Sequence, residues 1–93
     1  MEKGLNSDIV HASEQYHVQT EDWGRENPFV VTRVYLHGAV VKSVKTPYSE
    51  LIPRSGLLNL QMLSQLVQQA LRKQHDEILD QLATGKLFGK RLQ

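Results

Sequence analysis

Residues 57–85, LLNLQMLSQLVQQALRKQHDEILDQLATG, decide the fold of this chain. Leu60, Leu63, Val67, Leu71, Ile78 and Leu82 recur in steps of three, four and seven, which puts them on one face of a 3.6-residue helix. Ala70 and Gln74 fall in the same stripe. Pro53, Ser55 and Gly56 break the chain before it, and Thr84-Gly85 supplies the residue type that closes helices in the left-handed conformation. The spacing predicts a helix from about Leu57 to Thr84. Its first half carries a second apolar row, Leu58, Met62 and Leu66, well away from the first on a helical wheel. A helix apolar on two sides needs a second covering surface. A second copy of the chain is one such surface; the amino-terminal tail or a loop is another.

Upstream, the period falls from 3.6 to 2. Residues 16–23, YHVQTEDW, alternate, with Tyr16, Val18 and Thr20 on one side and His17, Gln19 and Glu21 on the other. Gly24 to Pro28 reads as a turn. Residues 29–37, FVVTRVYLH, are rich in β-branched and aromatic side chains and form the clearest strand. His37-Gly38 turns the chain into 39–46, AVVKSVKT, and Pro47 ends that strand. With a two-residue loop, Leu36 opposes Ala39, Tyr35 opposes Val40, Val34 opposes Val41 and Arg33 opposes Lys42. The last pair sets like charges face to face, which is unfavourable. Both faces of this hairpin carry apolar residues, more than one helix can cover.

The expected fold class is therefore α+β, an antiparallel three-stranded meander packed against one long C-terminal helix, β-β-β-α. Residues 1–13 read as a flexible tail, 14–85 as a single domain and 86–93 as a second tail.

The chain has 93 residues, 40% apolar and 23% charged, with a net charge of +1. That balance gives no steering toward nucleic acid or an anionic membrane surface. Without cysteine there is no disulfide, no thiolate nucleophile and no cysteine-ligated zinc. No apolar run reaches the ~18 residues of a membrane span, and the start lacks a secretory apolar core. A cytoplasmic location is the expectation.

Three groups of polar residues could carry chemistry. His17, Gln19 and Glu21 share a strand face, where imidazole and carboxylate together can hold a divalent metal or share a proton. Gln74 interrupts the helix stripe and His75 borders it, positions suited to fixing register by hydrogen bonding. Were His75 to meet His17 across the helix–sheet contact, His17, Glu21 and His75 would make a small-ligand or metal site, although structural zinc wants four ligands. Arg72, Lys73, Asp76, Glu77 and Asp80 make i,i+4 pairs on a solvated face. Trp23, beside the turn, caps the end of the core or anchors a partner. No phosphate loop, dinucleotide-binding glycine pattern or nucleophile elbow is present. No nucleophile–base pair is evident, so the chain leans away from being an enzyme, and no cofactor is expected.

Residues 17–22, HVQTED, 30–48, VVTRVYLHGAVVKSVKTPY, and Gln74-His75 within 73–85 together resemble a family of small bacterial proteins. These share a His-x-Gln-Thr-Glu start, a hairpin closed by glycine, a tyrosine after the third strand and Gln-His in the closing helix. Here Gln74-His75 follows ALRK instead of that family's Met-rich approach. The resemblance implies that His17, Gln19, Thr20, Glu21, Gln74 and His75 are the polar positions that matter, and it implies no reaction. The surplus apolar surface points to a small non-enzymatic, homodimerising protein-interaction module, with Leu58, Met62 and Leu66 or the second sheet face meeting the partner.

Overall fold

The computed structural model describes residues 4–56 and 58–88. Four strands precede the helix: β1 (Gly4–His11), β2 (Glu14–Asp22), β3 (Phe29–Leu36) and β4 (Ala39–Pro47). They form one antiparallel sheet in the order β1-β2-β3-β4. A short 3₁₀ turn, Tyr48–Glu50, leads toward α1 (Leu60–Ala83). The class is α+β, with a four-stranded meander in place of the expected three strands. The added strand comes from residues read as tail. Leu5, Ser7 and Ile9 alternate with Asn6, Asp8 and Val10, and the whole of β1 pairs with β2, from Gly4 opposite Glu21 to His11 opposite Glu14.

Both tight hairpins are two-residue turns with positive φ, Ala12 (52°) and Ser13 (68°) in the first, His37 (53°) and Gly38 (81°) in the second. Such turns match the right-handed twist of the strands they join. After the second turn the expected register holds for Leu36–Ala39 and Tyr35–Val40, then shifts by one residue. Val41 is the extra residue of a β-bulge, so Val34 faces Lys42 and Arg33 faces Ser43. The predicted Val34–Val41 and Arg33–Lys42 pairs are therefore corrected. The bulge removes the like-charge opposition and turns Val44 and Thr46 to the face that the helix covers.

The helix starts at Leu60, later than Leu57, because Asn59 is its cap: the Asn59 side chain accepts from the Met62 N–H at 2.8 Å. Thr84 closes the other end, followed by Gly85 at φ 79°. A side chain at Gly85 would meet the His11 ring at 3.5 Å, so this end of α1 lies over the end of β1.

Two apolar clusters hold helix to sheet. Tyr16, Val18, Val34, Ile78, Leu82 and Leu87 form one, extended by Ile9, Leu36, Val44 and Leu79. Leu87, placed by the sequence in the carboxy-terminal tail, is only 6% exposed there. Val30, Tyr48, Val67 and Leu71 form the other, extended by Leu5, Leu51, Leu63 and Ala70. No helix among the described residues is long and apolar enough to cross a membrane.

Candidate functional site

Between the two apolar clusters runs a band of buried polar side chains. Thr20 and Thr32 stand opposite each other at the middle of β2 and β3 and are fully buried. Gln74 and His75, one helix turn past Leu71, point down onto them, and His75 is 2% exposed. The hydrogen bonds form one line across the sheet. Thr46 Oγ1 donates to Gln74 Oε1 at 2.5 Å, and Gln74 Nε2 donates to Thr32 Oγ1 at 2.8 Å. The same amide nitrogen lies 3.4 Å from the Val30 carbonyl and 3.3 Å from that of Val44. Thr20 and Thr32 hydroxyls are 2.7 Å apart, Thr20 Oγ1 is 2.8 Å from His75 Nδ1, and His75 Nε2 is 2.9 Å from Ser7 Oγ.

The line has a direction. Thr32 Oγ1 accepts from the Gln74 amide, so its own proton goes to Thr20. Thr20 then donates to His75 Nδ1, and the proton of the neutral ring sits on Nε2, donated to Ser7. The two fully buried hydroxyls, Thr20 and Thr32, each give one bond and take one, which satisfies the middle of the row. A second ring proton on Nδ1 would turn Thr20 toward Thr32 and leave the Thr32 proton without its acceptor. Burial, the largest influence, holds the His75 pKa below its ordinary 6.5. Asp76 pulls the other way, while Arg72 and His17 add to the lowering.

His17, Gln19 and Glu21 lie on the opposite, open face. His17 Nδ1 is 2.8 Å from Asp8 Oδ1 and Nε2 is 3.2 Å from Asn6 Oδ1. Gln19 Nε2 donates to Glu21 Oε2 at 3.0 Å, and Trp23 Nε1 donates to Glu21 Oε1 at 3.3 Å. The six expected polar positions are thus split by the sheet: Thr20, Gln74 and His75 on the helix side, His17, Gln19 and Glu21 on the other. His17, Glu21 and His75 do not converge, because strand alternation turns His17 away from the face that the helix covers. Among the described residues no group of three His, Asp or Glu side chains is placed to hold a metal ion.

Trp23 belongs to the open face. The Arg33 guanidinium lies 5.3 Å and the Lys45 ammonium 4.9 Å from its ring centroid, with Lys45 also 5.0 Å from Phe29. These are cation–π contacts across neighbouring strands. On the same face Val31, opposite Glu21 on one side and Lys45 on the other, is buried although it faces away from the helix. A polar hollow of about 470 Å³ opens beside Trp23, lined by Asn6, Gln19, Glu21 and Asn27 among others. At the end of the sheet Tyr48 donates its hydroxyl proton to Asp22, whose carboxylate also accepts from the Gly24 N–H at 3.0 Å. Burial, then the Asp22 bond and its charge, raise the Tyr48 pKa from 10.0 to about 12.

Sequence reasoning missed two of these features. The Tyr48–Asp22 pair joins the end of β2 to the turn after β4, and no local spacing announces it. The Ser7 end of the polar band was hidden because β1 itself was not recognised.

Of the expected second apolar row, Leu58 lies before the Asn59 cap and outside α1, where it is half-buried; on α1 itself Met62 is 40% exposed and Leu66 half-buried. Leu60 is 63% exposed and lines a mostly apolar cleft of about 310 Å³ with Leu63, Val67 and Tyr48. Comparison of the chain with protein-family models, with curated proteins and with solved structures gave no match.

Proposed function

We propose that the protein is a small non-enzymatic interaction module that acts as a homodimer and meets other protein surfaces through the amino-terminal half of α1. The observation that supports this reading is the row of Met62, 40% exposed, and half-buried Leu66 on α1, with half-buried Leu58 just before its cap. No charged residue occurs between Arg54 and Arg72, while Arg72, Lys73, Asp76, Glu77 and Asp80 crowd the following turns. Charge depletion with Met and Leu at the surface is the composition of the middle of a protein contact. An ordinary solvated helix face carries its charges evenly along its length.

The polar band fits the same reading. His75 is paired on both ring nitrogens with hydroxyls, and burial outweighs the pull of the neighbouring Asp76 charge on its ring. A general base needs an open approach for the proton that it removes, and this imidazole is enclosed by the sheet and its own helix. The band therefore serves to align helix and sheet and leaves the exposed surface to carry function.

Molar mass in solution, by size exclusion with light scattering, tests the dimer. A mass near twice the 10.6 kDa of the chain is expected. A mass of one chain at all concentrations up to the high micromolar range overturns the homodimer.

A further inference from the structure

We propose that two copies join through β1, edge to edge and antiparallel about a two-fold axis at Ser7, into one continuous sheet with four strands from each copy. This rests on the homodimer reading above and specifies which surface closes it.

The two edges of the sheet are not alike. β4 is blunted in the ways that natural edges are: the Val41 bulge, Lys42 and Lys45 along it, and Pro47 at its end. β1 has none of these. Its register with β2 is unbroken over eight residues, and it contains no proline, lysine or arginine. The Ala12-Ser13 turn closes on His11 and Glu14, the hydrogen-bonded pair of a two-residue hairpin. Ser7, Ile9 and His11 therefore turn their backbone groups to β2. The N–H and C=O of Asn6, Asp8 and Val10 face the edge.

The sequence of β1 is self-complementary about Ser7. In a two-fold contact, residue i meets j and j meets i. Around Ser7 the chain reads Leu5-Asn6-Ser7-Asp8-Ile9, so Leu5 meets the partner's Ile9 and Asn6 meets the partner's Asp8. Leu5 and Ile9 lie on the helix side, each at the margin of a different apolar cluster. The pairing would join one cluster of each copy to the other cluster of its neighbour. On the open side the Asn6 amide reaches the partner's Asp8 carboxylate. A shift of the axis by one residue to Asp8 would set Asp8 against the partner's Asp8, an opposition of like charges that disfavours that slip; a shift to Asn6 would lose the pairing of Asn6 with the partner's Asp8.

Pairing through β1 leaves the apolar row of α1 outside the contact. His75 reaches Ser7 on β1, while Gln74 reaches Thr46 on β4. At 100° per residue, Met62 and Leu66 fall on the Gln74 side of the helix and away from the axis. The dimer then presents two copies of that row.

Ser7→Cys tests the register in a chain that has no other cysteine. Opposed residues of a non-hydrogen-bonded pair have Cα atoms about 4.5 Å apart, within the reach of a disulfide. The variant should oxidise to a linked dimer at micromolar concentration, whereas Val41→Cys on the other edge should not. Val10→Pro removes an outward N–H and leaves the ladder to β2 intact. It should keep the wild-type Trp23 fluorescence and weaken the dimer at least about tenfold. Met62→Glu with Leu66→Glu should remain dimeric. A wild-type monomer overturns the homodimer reading and this contact with it. A wild-type dimer in which Ser7→Cys does not cross-link and Val10→Pro dimerises normally overturns this contact alone.

Discussion

The two faces of the sheet are built from the same strands, yet they use different chemistry. In the band enclosed between helix and sheet the polar groups are neutral: three threonines, a serine, an amide and an imidazole, bonded head to tail. On the open side the polar groups include ions: Asp8, Glu21, Arg33 and Lys45 beside His17, Gln19 and Trp23. Where water is excluded, an ion would carry a large desolvation penalty, and neutral hydrogen bonds replace it. Where water has access, ions are tolerated and each pair is worth little.

That contrast can be broken most severely at Gln74. Gln74→Leu keeps the volume and removes the bonds to Thr32 and Thr46. Two hydroxyls then lose partners, that of Thr32 fully buried and that of Thr46 half-buried, and urea unfolding should report a loss of about 3 kcal/mol. A cost under 1 kcal/mol would mean that water enters the band.

Acid should act on the same face with a smaller effect. The folded pKa of His75 lies below the ordinary 6.5, so the unfolded chain binds its proton more readily. The neutral ring's contribution is complete above pH ~6.5 and is lost as pH falls from there through the folded pKa. The difference in stability between the wild-type chain and His75→Gln, followed from pH 8 to pH 5, should shrink toward the acid end. A difference that stays constant with pH would place His75 in contact with solvent. The open face should respond least. Glu21→Gln keeps one acceptor oxygen of the two that Gln19 and Trp23 use, on a face open to water, and its effect should stay within about 0.5 kcal/mol, measured by the same unfolding.

The sequence revealed the helix, β2, β3, β4 and the His37-Gly38 turn because each has a strong local signal: apolar spacing, β-branched runs, a glycine at positive φ. β1 carries weaker ones. Only Leu5, Ile9 and Val10 are apolar, and its turn uses Ala12 and Ser13 at positive φ, where glycine or asparagine would have announced it. The bulge at Val41 has no composition signal either, but the Arg33–Lys42 clash of the unbulged register pointed to its place. Of the candidate site, the membership of each strand face was legible from alternation. The meeting of His17 with His75 was inconsistent with that alternation, since His17 lies opposite the apolar side that a helix must cover. The line from Thr46 to Ser7 was not legible, because it needs all four strands and the helix in place.

The polar line also constrains the order in which the molecule can be completed during synthesis. Ser7 and His75 are 68 positions apart, and Thr20 and His75 are 55. Every strand therefore leaves the ribosome before the residues that bind their hydroxyls. The nascent sheet can pair locally through its short turns, but its Val18, Val30 and Val34 face stays wet until Gln74 and His75 emerge. Chains cut short before Gln74 would expose that face and the β1 edge together, the two features of a strand assembly prone to aggregate. The helix is made after every strand and is the part that covers the meander.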